Sequence, residues 1–317
     1  MNRQLEVITF GESMGLFTPS GDKTLETATQ YCRSFGGAES NVAIGLARLG
    51  HSVGWFSRLG QDPLGTSILK SLRGENVDVS RVQLHEDAPT GFMMRHIKTG
   101  RIEVFYNRKS SAASMMEPSD VDDQYIQQAK ILHITGITPS LSLSCRETIL
   151  HAVQLANKLN VKVCFDPNLR LKLWSINEAR STLLTIMEKV DYFLPGLEEL
   201  ELLFETKDWN IIQDKLMELE AISIVKGGNG LNYIISKEGT VEVPYELSEK
   251  VVDTVGAGDA FCAGFLSGVL KGLPLDKAVE RAHLNAFVVI QDHGDWEPLP
   301  EAKTIDQMLS KNNFVER

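Results

Sequence analysis

Cysteine is sparse: four residues, Cys32, Cys145, Cys164 and Cys262, are scattered over 317 positions with no Cys-x-x-Cys pair. Cys164 and Cys262 fall in apolar strand and helix patterns, so buried thiols are expected rather than zinc ligands or disulfides. Lysine- and arginine-rich runs are missing, and the formal net charge is −10. Nucleic acid and anionic membrane are therefore not expected as partners. No apolar run is long enough to span a bilayer. Met1–Glu6 leads into a short apolar strand with neither a signal-peptide stretch nor a cleavage site, so a cytoplasmic protein is expected. No repeat, low-complexity segment or Pro/Gly/Ser linker divides the chain. No Gly-x-x-x-x-Gly-Lys-Ser/Thr string occurs, which excludes a P-loop. What remains is ordinary globular composition, with 43% hydrophobic and 23% charged residues, in a chain long enough for one large α/β domain or two small ones.

The most informative stretch is Val252-Asp253-Thr254-Val255-Gly256-Ala257-Gly258-Asp259-Ala260-Phe261. β-branched residues precede it, and the small and apolar run Ala260–Leu270 follows. This pattern predicts a strand end, a tight glycine turn and a buried helix. Gly256, Ala257 and Gly258 let backbone N–H groups approach a ligand at a helix N-terminus, where the dipole adds partial positive charge. Such a site suits an anion, most naturally phosphate. Asp259 would repel that phosphate unless it takes a proton from whatever attacks it. Taken alone, Asp259 is better read as a first-turn residue favoured by the dipole and nothing more.

The rest of the chain alternates in α/β fashion. Val7–Phe10, Val53–Phe56, Ile131–Ile134, Val161–Phe165, Tyr192–Leu194 and Ile222–Val225 read as core strands. Helices are expected over Val42–Leu49, from Leu59 to near Gly74, and over Ser144–Leu159, Ile176–Glu188, Leu197–Phe204 and Leu275–Ile290. Leu231–Ser236 with Thr240–Val243 forms one expected hairpin. Thr90–Ile97 and Arg101–Arg108 form another, with a turn at Thr99-Gly100.

A second glycine turn, Gly36-Gly37-Ala38-Glu39-Ser40-Asn41, opens the nearly all-apolar helix that Gly50 stops. The two glycine-turn strings, in this order and more than 200 residues apart, resemble the paired signatures of the PfkB/ribokinase family of carbohydrate kinases. The resemblance covers essentially the whole chain. It implies a ribokinase-like doubly wound sheet flanked by helices, with a small β-sheet lid from strands inserted at about 14–35 and 89–112. It implies ATP and Mg2+, Asp259 as the catalytic base, and Gly256–Gly258 as the anion hole. Gly37 and Asn41 would hold sugar hydroxyls. Asn168 and Arg170 of Asp166-Pro167-Asn168-Leu169-Arg170, with Lys226, Gly227 and Gly230 of the next glycine loop, would line the nucleotide. In the family an Asn-x-x-Glu motif acts on magnesium through water. Here Glu199 stands in that place with Gly196 where asparagine is usual, so a solvated helix glutamate is an equal reading. A monovalent-cation requirement near Asp253 is left open. The lid, with Phe92, Met94, Val104 and Phe105, would pair subunits into a homo-oligomer.

Substrate class is read from the lid and the first turn. Leu16 stands where many ribo- and fructokinases carry an acidic residue for sugar hydroxyls. Arg108 and Arg170 suggest an anionic sugar, because a guanidinium binds a carboxylate with paired donors. A lone Arg108 would otherwise be a solvated strand residue. Gly-Gly-Ala-Glu-Ser-Asn together with Phe105-Tyr106-x-Arg108-x-x-Ser-Ala-Ala-Ser resembles 2-keto-3-deoxygluconate kinases in particular. The function implied is ATP-dependent phosphorylation of the C6 hydroxyl of that sugar acid, with Tyr106, Arg108 and Arg170 on the substrate and Asp295 also touching it. A neutral-sugar kinase such as a fructokinase is the alternative within the family. A non-catalytic sugar or nucleotide sensor is the alternative of another class, and the intact Asp259 argues against it.

Overall fold

Short runs of β-branched and aromatic residues, each followed by a helix, are buried on both faces and therefore pair in parallel. The computed structural model describes residues 4–21, 23–98 and 101–312. Across the central sheet the strands run Gly239–Pro244, Leu231–Ser236, Ile222–Lys226, Tyr192–Phe193, Lys162–Asp166, Ile131–Thr135, Val7–Phe10 and Val53–Phe56. The six from Ile222–Lys226 to Val53–Phe56 are parallel. The other two add an antiparallel hairpin. Strand alternation sends Ile8, Phe10, Leu132, Ile134, Val163 and Phe165 into one core and Val7, Val53, Trp55, Ile131 and Cys164 into the other. Helices Leu143–Lys158 and Ile176–Met187 cover the first face. Helices Ala38–Arg48, Ala257–Leu270 and Leu275–Val289 cover the second. Cys164 and Cys262 are buried thiols, as their apolar settings predict.

After Val7–Phe10 the chain goes to the Val53–Phe56 edge, then returns to the other side of Val7–Phe10 at Ile131–Thr135. That reversal opens a crevice outside the carboxyl ends of these strands, where open α/β sheets bind their ligands.

A separate four-stranded sheet, ordered Tyr31–Gly36, Met14–Pro19, Phe92–Lys98 and Arg101–Asn107, lies apart from the central one. Its register aligns Leu16, Met93 and Tyr106 across neighbouring strands. Cross-strand partners share a face, so Tyr106 lies on the side of Met14, Leu16 and Met93, which cluster with Val104. Phe17, Phe92, Met94 and Phe105 fall on the opposite face, where Phe105 is 60% exposed. The turn expected at Thr99-Gly100 lies outside the described residues, as do Asp22 of the first polar turn and Met1–Arg3.

Three expectations change. Leu59 and Gly60 end a short strand, Arg58–Gly60, and the helix starts only at Pro63. Asp62 caps that helix through the Gly65 N–H at 2.8 Å, and Pro63 supplies a preset first-turn φ. The structure adds helix Trp209–Met217, which Asp208 caps and whose buried stripe is Ile212 and Leu216. It also adds helix Ala302–Asn312, with Ile305 as its buried anchor. Among the described residues no helix is long and apolar enough to cross a membrane.

Candidate active site

Two helix N-termini meet at the crevice. Helix Ala38–Arg48 begins at Gly37 and helix Ala257–Leu270 at Gly256. They pack side by side because Gly45 has no side chain: a Cβ there would lie 2.8 Å from Ala263 Cβ. This brings the first turns together, and Asn41 Nδ2 donates to Asp259 Oδ2 at 2.8 Å. Asn41 is thus first a holder of Asp259, with its amide oxygen buried and unpartnered. An amide oxygen so placed can accept a hydroxyl.

Asp259 is 8% exposed. Burial pushes its carboxyl up to about 7, helped by the negative Asp166 and Asp295, while the Asn41 hydrogen bond and Arg170 oppose the rise. Loss of water outweighs the helix dipole here. A carboxyl near neutrality can take a proton and later release it. No side chain caps the helix at Gly256, which adopts φ +77°. The Ala257 N–H makes a long bond back to the Thr254 carbonyl oxygen at 3.3 Å, and the exposed Gly258 leaves its N–H, with no side-chain cap, open to a ligand.

Gly37 has a different reason from the expected one. Its φ of −178° is open to any residue. A Cβ, however, would lie 2.2 Å from the Glu12 carbonyl oxygen. The backbone of Glu12-Ser13 fills the place of a Gly37 side chain, so packing by itself requires glycine there. At Gly36 a Cβ would meet Asp295 Oδ2 at 2.1 Å. Asp295, on the loop after the last long helix of the second core, is buried beside Arg95 at 2.8 Å. Burial lifts its carboxyl to about 6 against the pull of Arg95.

Arg108 is not a solvated strand residue. Its side chain is 12% exposed, its Nη2 lies 2.5 Å from Glu12 Oε2, and its guanidinium stands 5.6 Å over the Tyr106 ring. Ser111 donates to the other Glu12 oxygen. Arg108 Nε is buried with no partner. Tyr106 is 39% exposed. Nearby Glu39 is fully buried, and its Oε1 accepts from Thr135 at 2.6 Å and Thr138 at 2.8 Å. Burial raises its carboxyl to about 6 despite those bonds. Neither Glu12 nor Glu39 carries a role in the sequence pattern. A buried acid directly after a core strand and another in a helix's first turn were the available signals.

At the neighbouring strand ends, Asn168 holds φ +36°, a left-handed conformation costly for a non-glycine residue. Its N–H reaches back to Asp166 Oδ1 at 3.2 Å, closing the loop that presents the exposed Arg170. Lys226 pairs with the same Asp166 oxygen at 3.2 Å. Burial alone would lower the Lys226 ammonium, but Asp166, Cys262 and Glu199 more than offset this, so it stays charged. Gly227 to Gly230 turn the antiparallel hairpin that starts from Lys226. Gly228 and Gly230 need their positive φ for that turn, at +82° and +79°.

Glu199 is a half-buried residue held by two backbone segments rather than a freely solvated helix glutamate. One oxygen accepts the Gly196 N–H and the other the Leu169 N–H, each at 2.7 Å. It clamps its own helix start to the Asn168 loop, and burial raises its carboxyl. Among the described residues no three His, Cys, Asp or Glu side chains converge on a metal-sized site. Near Asp253, one carboxylate oxygen accepts the Val255 N–H at 3.1 Å and the other faces Arg95 at 3.3 Å. That carboxylate is already balanced by a cation of the chain itself.

Residues 4–302 match the pfkB family of carbohydrate kinases. The chain is 38% identical over 319 aligned positions to the 2-dehydro-3-deoxygluconokinase of Bacillus subtilis, with 98% of each chain covered. A PfkB protein from Polaromonas sp. JS666 has a similar structure: TM-score 0.87, 34% identity, 95% of this chain and 99% of that one. The 2-dehydro-3-deoxygluconokinase of Thermotoga maritima superposes with TM-score 0.83 at 25% identity, covering 97% and 100% of the two chains.

Proposed function

This chain belongs to the pfkB family of carbohydrate kinases, and from that premise we propose that it transfers the γ-phosphoryl of ATP to the C6 hydroxyl of 2-keto-3-deoxygluconate. The products are 2-keto-3-deoxy-6-phosphogluconate and ADP. The observation that carries the kinase reading is Asp259: a buried carboxyl poised at about 7, oriented by Asn41, at a helix start with no side-chain cap. The sugar acid is the substrate class that the Bacillus subtilis relative's name gives, and Arg108 is the group that would hold its carboxylate.

The sugar's C6 hydroxyl lies against Asp259, which removes its proton as the oxygen attacks the γ-phosphorus. The bond to the β-phosphate oxygen breaks, and ADP leaves. The N–H groups of Ala257 and Gly258, with the Gly256 turn, offset the charge on the transferring phosphoryl oxygens. Arg108 offers its unpartnered Nε edge to the carboxylate, and the phenol of Tyr106 lies on the same lid face. Asp295 and the Asn41 amide oxygen accept from sugar hydroxyls. Asn168, Arg170, Lys226, Gly227 and Gly230 border the nucleotide, with Lys226 held in place by Asp166. Magnesium enters on the nucleotide phosphates.

One observation favours a neutral-sugar kinase as the second reading: the Arg108 charge is already matched by Glu12. A coupled ADP-release assay with MgATP separates the two, comparing 2-keto-3-deoxygluconate, fructose and ribose. The sugar acid is expected to show the highest kcat/KM. A preference for fructose moves the substrate to the neutral class and leaves the mechanism standing.

The apolar outer face of the lid, with Phe105 and Phe92 on it, would pair with its copy in a homo-oligomer, since monomers rarely leave such a patch open. Light scattering at micromolar concentration is expected to give a multiple of 35.2 kDa, and Phe105→Glu to return the monomer. A wild-type monomer refutes the pairing.

A further inference from the structure

Arg95 sits on the lid strand Phe92–Lys98, with its side chain 6% exposed. The sequence shows it as one polar position among alternating residues. In the fold its Nη1 lies 2.8 Å from Asp295 Oδ1 and 3.3 Å from Asp253 Oδ2. Three distant segments therefore meet on one guanidinium: the lid, the turn that feeds the helix at Gly256, and the loop after helix Leu275–Val289.

Both aspartates bear on the turn, Asp253 through its carboxylate and Asp295 through its backbone. Asp253 Oδ1 accepts the Val255 N–H at 3.1 Å, which winds the backbone just before Gly256. The Asp295 carbonyl oxygen presses on Gly256 itself, where a Cβ would come within 2.3 Å. Gly256 sets the start of the helix, which has no side-chain cap. A buried guanidinium shared between two buried carboxylates is costly to break, because either acid left alone is an uncompensated charge.

We propose that Arg95 is a positioning residue for phosphoryl transfer: it ties the lid to the 253–256 turn, so that the sugar under the lid and the helix N–H groups keep one geometry. The role rests on the kinase reading of the site and adds to it. The ion pairs of Arg95 go to Asp253 and Asp295, and it acts through them. The lid thereby carries, besides the substrate-facing Arg108, a second arginine that sets the alignment of the reacting groups.

The test uses the full chain with Arg95→Met and Arg95→Lys beside wild type. Arg95→Met is expected to lower kcat by roughly 100-fold, the scale of a small misplacement of reacting groups, with a much smaller rise in KM for the sugar. Arg95→Lys keeps the charge but spans two carboxylates poorly, and is expected to recover part of the rate. Amide hydrogen exchange at residues 254–259 is expected to quicken in Arg95→Met, with the later turns of that helix unchanged. A folded Arg95→Met protein with wild-type kcat, or with unaltered exchange over 254–259, overturns the proposal. So does a rise in KM as large as the fall in kcat, which would make Arg95 a residue of the lid alone. If Arg95→Met does not fold, Arg95→Lys decides by the same two readouts. Absence of turnover by wild type with every sugar sinks the kinase reading instead, and the exchange data then still judge the tie.

Discussion

Asp259→Asn lowers kcat by roughly 10²–10⁴-fold, the usual contribution of a positioned base, with the fold intact. Asparagine keeps the shape and can still pair with the Asn41 amide, but it accepts no proton from the sugar hydroxyl. The change also removes a buried charge that desolvation disfavours, so the melting temperature is expected to hold. The pH dependence follows from the direction of the shift. A base raised to about 7 is protonated below that pH, so wild-type kcat/KM falls as pH drops through neutrality and levels off above it. The residual rate of the variant loses that dependence. The coupled ADP-release assay reads both; a full-rate variant, or one that keeps the same acid limb, removes Asp259 from the base role.

The second large effect is on substrate affinity. Arg108→Ala should raise KM for the sugar acid by roughly 10- to 100-fold, because a charge-assisted hydrogen bond contributes about 1.5–3 kcal/mol and each 1.4 kcal/mol is a factor of ten. KM for ATP should barely move. The substitution also strands Glu12, whose side chain is fully buried, and that alone destabilises the lid. The double variant Glu12→Gln with Arg108→Ala removes both charges and isolates the binding effect. A higher KM for the sugar acid, with fructose unaffected, identifies the carboxylate as the partner of Arg108. Equal effects on the sugar acid, fructose and ATP would make the arginine a structural post for Glu12.

Much of the architecture was legible because it is written in contiguous residues. Strand and helix periods, the Gly50 stop and the two glycine turns are local backbone properties, and they place the sheet, the flanking helices and the hairpins nearly where the structure has them. Helix Trp209–Met217 carries the same local signals, an Asp cap and an apolar stripe, in a stretch too short and too polar to stand out by period alone. The reasons behind single residues were less legible. Gly37 is glycine because the Glu12-Ser13 backbone presses on it, and Glu199 is a clamp between two backbone segments. Neither contact has a sequence pattern.

The chain's own order of residues determined the α/β class, the glycine turn at Gly256 and the aspartate at its helix. Those depend on backbone conformation, propensity and the helix dipole, which act over a few neighbouring positions. Only the tertiary structure decided which charges face which. It matched Arg108 to Glu12, bound Asp253 and Asp295 to Arg95, and gave Lys226 to Asp166. An ion pair joins residues that folding brings together from any separation along the chain, and burial then sets its strength. A sequence names the charged groups, but burial and distance belong to the folded molecule.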